Sequence, residues 1–257
     1  MPVIAHLLTA LLLLCLSMVA QAEKLRIVTE PWAPYVYEED GRLLGLDYET
    51  TAIVFKRLGI DVEWQLLPWK RCLAMLEQGM ADGALDIFHS DERDAMLLYP
   101  SEPLSHVEFV TFQANARPHP FHTLDDLSGL TVGTSPGYLY SQAFRDSPLF
   151  KRETAPTHEA NFGKLQLGRI DLLITDRRVG RYLLKQMQLG DQISENPTVV
   201  SRQSQYLAVR RSVGMDLLMQ RFSAELRRFK REPLYAELSA RYDAAPGAAE
   251  PADVTLK

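Results

Sequence analysis

The chain has 257 residues, 46% hydrophobic and 24% charged, a composition that supplies a core for one large or two medium domains and excludes extensive disorder. Its formal net charge of −5, with no basic stripe, gives no support for a nucleic-acid partner. Two cysteines, Cys15 and Cys72, exclude a disulfide framework.

The chain opens with an apolar run, Leu7 to Val19, broken only by Thr9 and Ser17, and Ala20-Gln21-Ala22 follows as an A-x-A pattern. This predicts a cleavable secretory signal over residues 1–22 and export to the periplasm. A membrane anchor needs about 20 apolar residues, and this run is shorter and ends in small residues rather than a basic stop. The region before it holds His6 but no Lys or Arg, and Cys15 follows Leu14 where a lipoprotein signal wants a small residue. Cleavage leaves Cys72 alone, so no intrachain disulfide forms and stability must come from the core.

From Lys24 the pattern runs strand, turn, helix. "KLRIVTE" alternates apolar and polar residues, "PWAPYVYEEDGRLLG" is a loop punctuated by Pro and Gly, and "DYETTAIVFKRLG" has helical spacing. In that helix Tyr48, Thr51, Ala52, Phe55 and Leu58 share a face, with Asp47 as the expected N-cap and Gly59 as the stop. "IDVEWQLLP" is a strand, "WKRCLAMLEQG" a helix closed by Gly79, and "ADGALDIF" a third strand. Alternation at this spacing predicts right-handed βαβ units around a parallel sheet. "SHVEFVTFQAN" is a further strand, and "HTLDDLSGLTVGTSPGYLYSQAF" restarts the theme with a short helix, a strand, a Gly-containing turn and a helix. "FGKLQLGRIDLLITDRRVGRYLLKQM" reads helix, strand, helix, and "SQYLAVRR" is a strand returning to the first half. Two amphipathic helices close the chain: "MDLLMQRFSAELRRFKR", with Leu218, Phe222, Leu226 and Phe229 on one stripe, and "PLYAELSARY", with Leu234, Leu238 and Tyr242. The tail from 244 to 257 lacks periodicity and is expected to be disordered.

With these elements in place, several short motifs occur in a telling order. They are Pro34-Tyr35 before "EEDGRLLGLDYE", Gly79 and Asp82 in "LEQGMADGAL", "SDERDAMLLYPSEPL", "GLTVGTS" and "GRIDLLITD". In order and spacing they resemble the bacterial extracellular solute-binding proteins of family 3, the periplasmic receptors of polar amino-acid ABC transporters. The resemblance covers nearly all of the chain after the signal. It implies an α/β type II-like periplasmic binding protein of two lobes, each a mixed, mainly parallel sheet flanked by helices, joined by two crossover strands and closing on ligand about a hinge. Lobe one would hold 23–112 with 206–243, and lobe two 113–205. The resemblance also implies a monomer that captures a small amino acid or related anion or zwitterion and delivers it to an inner-membrane ABC permease, or, in a sensor, to a membrane signalling partner.

Candidate site residues lie on loops beyond the carboxyl ends of strands, where open α/β sheets bind ligands. Arg93 follows "GALDIF", and its planar guanidinium can hold a carboxylate bidentately. Its alternative is a surface ion pair with Asp91, Glu92 or Asp94. The resemblance assigns the matching arginine to the ligand's α-carboxylate. Thr134 and Ser135 in "GTSPG" can face an anion at a helix N-terminus, or the segment is a plain strand-to-helix turn. Asp176 matches the aspartate used for the ligand's ammonium group, or serves as an N-cap. Tyr35 matches the family's stacking aromatic, and Trp69, Tyr138 and Tyr140 are further candidate walls. Arg71 either adds a second positive group at the cleft or is solvated surface.

The chain departs from the resemblance where amino-acid receptors place small hydroxyl residues before the arginine. Leu85, Asp86, Ile87, Phe88 and His89 stand there, and of these Asp86 can accept from an ammonium whereas Phe88 cannot. A cyclohexadienyl dehydratase shares the fold and carries a glutamate three residues after the aspartate matching Asp176. Val179 holds that position here, which removes the proton-transfer group. No catalytic residue, metal site or cofactor is expected.

Overall fold

The computed structural model describes residues 24–243, so the expected signal at 1–22 and the expected disordered tail at 244–257 lie outside the described residues. The chain begins with β1 (Leu25–Thr29) and a hairpin of β2 (Tyr37–Glu39) and β3 (Arg42–Leu44), then α1 (Leu46–Leu58), β4 (Val62–Leu66), α2 (Trp69–Glu77) and β5 (Gly83–Phe88). The short helix α3 (Asp91–Asp94) and β6 (Leu97–Leu98) lead into β7 (Ser105–Ala114). A 3₁₀ turn at Leu124–Leu127 precedes β8 (Thr131–Thr134), α4 (Gln142–Asp146), β9 (Lys151–Thr154), α5 (His158–Gln166), β10 (Leu172–Asp176) and α6 (Arg177–Gln186). The long strand β11 (Ile193–Arg210) returns, followed by α7 (Met215–Phe229) and α8 (Pro233–Asp243).

Apart from the separate β2–β3 hairpin, the strands form one continuous sheet in the order β4-β1-β5-β11-β7-β10-β8-β9, with β6 also paired to β11. β4, β1 and β5 are parallel to one another, as are β10, β8 and β9. Between these two parallel blocks run β7 and β11, antiparallel to each other and to the strands they flank. β11 pairs with β5 from Gln205 onward, and β7 pairs with β10 from Phe109. The two lobes implied by the resemblance correspond to two βαβ blocks bound through a pair of crossing strands. Their parallel strands aim their carboxyl ends into the gap between them.

The core follows the expected faces in the two C-terminal helices, whereas α1 buries Leu46, Thr50, Thr51, Val54 and Phe55 and leaves Tyr48, Ala52 and Leu58 of its expected face half-buried. In α7, Leu218, Phe222, Leu226 and Phe229 are all buried, while in α8 Leu238 and Tyr242 are buried and Leu234 is exposed. Gly59 ends α1 in the left-handed conformation at φ 70°, as its position implies. Cys72 is a buried free thiol, and burial raises its pKa to about 12, so it remains protonated and unreactive.

Three details differ from the sequence pattern. The N-cap of α1 is Gly45 at φ 127°, where a Cβ would lie 2.2 Å from the carbonyl oxygen of Tyr35. Only glycine fits this close approach. Asp47 instead lies buried in the first turn and accepts the Ser105 hydroxyl at 2.5 Å. The "PWAPYVYEEDGRLLG" loop contains the β2–β3 hairpin, whose turn residues Asp40 and Gly41 both take positive φ. "KRET" forms the edge strand β9, too polar and too short to show as a strand in sequence.

Candidate functional site

The site is assembled at the carboxyl ends of β1 and β5 and by the loop after β8. Glu30 directly follows β1, and Trp32 comes two residues later, held by a backbone bridge to Val36. From the opposite block, residues 135–139 fold down so that Gly137 packs against Trp69, where an added Cβ would be 3.3 Å from the indole. Thr29, Glu30, Trp32, Trp69, Asp86, Phe88, Arg93, Gly137, Tyr138 and Leu139 enclose a small inner cavity. Its free volume is about 10 Å³, enough for about one water molecule. It adjoins an outer cleft of about 550 Å³ lined by Glu30, Pro31, Leu66 to Lys70, Ser135, Pro136, Tyr138 and Pro156 to Glu159. Glu30, Trp69 and Tyr138 line both spaces and form the wall between them.

Asp86 reaches the cavity through a backbone irregularity. Tyr206 pairs with Ile87 but Ala208 pairs with Ala84, so β5 carries one extra residue against β11. Asp86 lies in that bulge at φ 58°, a conformation that aspartate tolerates better than most residues. The bulge re-aims its carboxylate from the sheet face into the cleft. The side chain is 8% exposed, and neither carboxylate oxygen receives a hydrogen bond from a protein donor among the described residues. The Asp47 carboxyl is its neighbour, and the Asp47 Oδ1 also lacks a donor among the described residues. Burial, and then the Asp47 charge, hold the Asp86 pKa well above the ordinary carboxylate range.

Arg93 leaves the short helix α3 and points back at the cavity, donating from Nη1 to the Phe88 carbonyl at 2.7 Å. Its guanidinium carbon lies 6.0 Å from the centre of the Trp69 ring. Among the described residues no carboxylate forms an ion pair with it, which separates it from the surface ion-pair alternative. Burial lowers its pKa, and it stays charged. The Trp32 Nε1–H is buried and has no acceptor among the described residues. The cavity thus holds a cation without a carboxylate partner among the described residues, Arg93, an unmatched donor, Trp32, and an unmatched acceptor, Asp86.

Two hydrogen bonds span the cleft between the blocks. The Tyr138 hydroxyl donates to Glu30 Oε1 at 2.6 Å and lies 3.0 Å from His158 Nε2. Burial raises the Glu30 pKa to about 7 and lowers that of His158 to about 4. The Tyr35 hydroxyl donates to Asp176 Oδ1 at 3.2 Å. Burial also raises the Asp176 pKa to about 6, although its oxygens accept from the backbone N–H groups of Arg178 at 3.0 Å, Val179 at 3.1 Å and Glu108 at 3.1 Å.

Of the residues singled out from sequence, Trp69, Asp86, Phe88, Arg93 and Tyr138 come together around the inner cavity, and Ser135 lines the outer cleft. Tyr35 is fully buried against Trp32, with ring centres 5.2 Å apart, and it is Trp32 that presents its ring to the cavity. Asp176 is the N-cap of α6, with both carboxylate oxygens accepting, Oδ1 from that helix and Tyr35 and Oδ2 from the Glu108 N–H. Thr134 is buried, and its carbonyl accepts from Asn161 Nδ2. The helix after "GTSPG" starts only at Gln142 and is capped by Ser141, so the turn does not sit at a helix N-terminus. The Ser135 N–H is taken by the Tyr140 hydroxyl at 2.8 Å. Arg71 is exposed on α2 and lines neither space. Glu30, Trp32 and His158 were not singled out. Glu30 and Trp32 follow a parallel strand's carboxyl end, the same signal that marked Arg93 and Asp176.

Comparison with known proteins places this geometry in a family. The chain is 23% identical over 215 residues to the probable amino-acid-binding protein YxeM of Bacillus subtilis, covering 81% of this chain and 79% of that protein. It is 26% identical over 191 residues to the L-cystine-binding protein TcyJ of Escherichia coli K12, covering 73% of this chain and 70% of that one. Among solved structures it resembles AbpA of Streptococcus pneumoniae, an amino acid ABC transporter substrate-binding protein bound to L-arginine, with a TM-score of 0.73 at 18% identity over 86% of this chain and 94% of that one. The shared fold is the two-lobed type II binding-protein fold. The family model for bacterial extracellular solute-binding proteins, family 3, matches residues 25–244, and the chain belongs to that family.

Proposed function

We propose that this protein is a periplasmic receptor that captures a small amino-acid-like solute between its lobes by hinge closure and presents it to an inner-membrane ABC permease. The single observation that carries the reading is the enclosed cavity between the two blocks, where Arg93 is a cation with no carboxylate paired to it among the described residues, Trp32 offers a donor without an acceptor and Asp86 offers an acceptor without donors. A zwitterion supplies both missing partners at once. Arg93 takes the carboxylate, the Trp32, Trp69 and Phe88 rings exclude water, and the low local dielectric strengthens each charge contact. The relatives named for binding amino acids support the ligand class.

The protein works as a monomer and by binding without turnover. Val179, at the position where a dehydratase-like enzyme would carry its acid, is apolar and buried in α6. Among the described residues no helix is long and apolar enough to cross a membrane, which agrees with a receptor that meets its permease from outside the bilayer. The strand registers support a hinge in β7 just before Phe109 and in β11 near Gln205, a few residues from the boundaries read from sequence.

A thermal-shift screen against amino acids, polyamines, dicarboxylates and aromatic acids tests the reading. A ligand at about 100 times its Kd should stabilise the protein by about 3 kcal/mol. Arg93→Ala should then weaken binding of that ligand by about 2 kcal/mol or more, roughly thirtyfold, in calorimetry. Unchanged affinity in the variant would remove Arg93 from the site.

A further inference from the structure

The outer cleft differs in chemistry from the inner cavity. Four prolines stand in its wall, Pro31 and Pro68 from the first block and Pro136 and Pro156 from the second, together with Leu66 and Leu67. Proline has no backbone N–H, so each of these positions presents an apolar ring where another residue would offer a donor. Pro31, Pro68 and Pro156 are exposed and Leu66 and Leu67 are half-buried, so both blocks turn apolar surface toward the space between them. The polar groups deep in this cleft are already matched by protein. Glu30 and His158 both meet the Tyr138 hydroxyl, at 2.6 and 3.0 Å, and the Tyr140 hydroxyl takes the Ser135 N–H. Burial pushes the His158 pKa down to about 4 and so keeps the ring neutral at pH 7. The Thr157 hydroxyl accepts the Ala160 N–H, and the charged residues Lys70 and Glu159 are exposed to solvent. In the inner cavity, by contrast, the Asp86 carboxylate and the Trp32 Nε1–H have no partner among the described residues.

We propose that the outer cleft is an apolar subsite, and that the receptor's ligand carries a bulky apolar extension on its amino-acid head group. The proposal rests on the receptor reading and narrows its ligand class. Size supports it, because an inner cavity of about 10 Å³ leaves the bulk of any ligand to the outer cleft of about 550 Å³. That volume falls in the range of roughly 300–1,000 Å³ for small-molecule pockets, whose walls are mostly apolar with a few polar groups that fix orientation. Continuity supports it as well. Trp69 and Tyr138 line both spaces, so a ligand anchored at Arg93 runs past their rings into the proline-walled cleft. An apolar extension is stabilised there by leaving water. A charged or amide-bearing one would shed its hydration and find the buried donors and acceptors already engaged, which is costly.

Calorimetry on the full protein tests the proposal with matched ligands. Along the series L-alanine, L-2-aminobutyrate, L-norvaline and L-norleucine, each added methylene should tighten binding about fourfold, the equivalent of about 0.8 kcal/mol per buried CH₂. The heat-capacity change of binding should grow more negative along the same series, as it does when apolar surface is buried. In pairs of similar size, L-leucine against L-asparagine, L-methionine against L-glutamine and L-norleucine against L-lysine, the apolar member should bind about tenfold tighter or more. Leu67→Asn should flatten the methylene series, with circular dichroism to check that the variant is folded, and the ligand comparisons on the unmodified protein stand without it. A flat series, equal binding within the pairs, tighter binding of the polar members, or a series unchanged in folded Leu67→Asn overturns the apolar assignment and leaves the receptor reading standing. A response confined to polyamines or dicarboxylates also overturns it. If neither these ligands nor the wider screen shifts the protein at all, the receptor reading itself fails, and the apolar assignment with it.

Discussion

Two buried aspartates stand at corresponding places in the two lobes, near the carboxyl end of a parallel strand facing the cleft, and their surroundings are opposite. Asp176, in the second block, accepts three backbone N–H groups and the Tyr35 hydroxyl. Asp86, in the first, accepts from no protein donor among the described residues. The first is built into the fold, because it caps α6 and ties β10 to the start of β7 and to the opposite lobe. The second is carried by the fold at a cost, in a left-handed bulge with a like-charged neighbour. An acceptor held without a donor is available to a ligand, whereas a saturated one is not.

Removing each carboxylate should therefore move stability in opposite directions. Asp176→Ala deletes an N-cap and strands three buried N–H groups, and should destabilise the protein by about 3 kcal/mol. Calorimetry should register that loss as a melting temperature lower by roughly 6–12 °C. Asp86→Asn should raise the stability of the ligand-free protein by about 1–2 kcal/mol, because the amide is neutral without taking up a proton on folding and can donate to the neighbouring Asp47 carboxylate. If both variants were destabilised equally, the contrast between a structural and a vacant carboxylate would be lost.

Much of this was legible in the sequence because it rests on local periodicity. The alternation of strands and helices, the stripe through Leu218, Phe222, Leu226 and Phe229, and the stop at Gly59 are written in nearest-neighbour spacing. Arg93, Asp86, Trp69 and Tyr138 could be named because strand ends and aromatic residues are visible in one dimension. The orientation of the same residues was not visible. Tyr35 and Trp32 are three positions apart, and which ring faces the cavity depends on the backbone bridge between Trp32 and Val36. Asp47 looked like a cap because the close contact of Gly45 with the Tyr35 carbonyl is tertiary. Likewise the bulge that turns Asp86 inward depends on a register with β11, more than a hundred residues away in sequence. Glu30, a lone glutamate after a strand, has no pattern in sequence until Tyr138 and Trp69 close around it.

The smallest expected effect separates Glu30 from the other buried titrating groups by pH. In the folded protein Glu30 holds its proton up to about pH 7, against an ordinary value of 4.5, so the folded state binds more protons than the unfolded one between these values. Its contribution to stability is complete below pH 4.5 and is lost as pH rises through 7. Asp176 follows the same sign but completes its loss near its pKa of about 6. His158 has the opposite sign: its pKa is lowered from 6.5 to about 4, so its contribution is complete above 6.5 and lost as pH falls. Between pH 6.5 and 8, Glu30 and the Asp47–Asp86 pair are the buried groups of the cleft that still release protons on unfolding. The melting temperature of the ligand-free protein should accordingly fall across this window, and Glu30→Gln should flatten it, a difference on the order of 1 kcal/mol at pH 8. A Glu30→Gln slope equal to that of the unmodified protein would assign the whole effect to the aspartate pair in the first lobe and leave the Tyr138–Glu30 contact without a role in holding the ligand-free cleft shut.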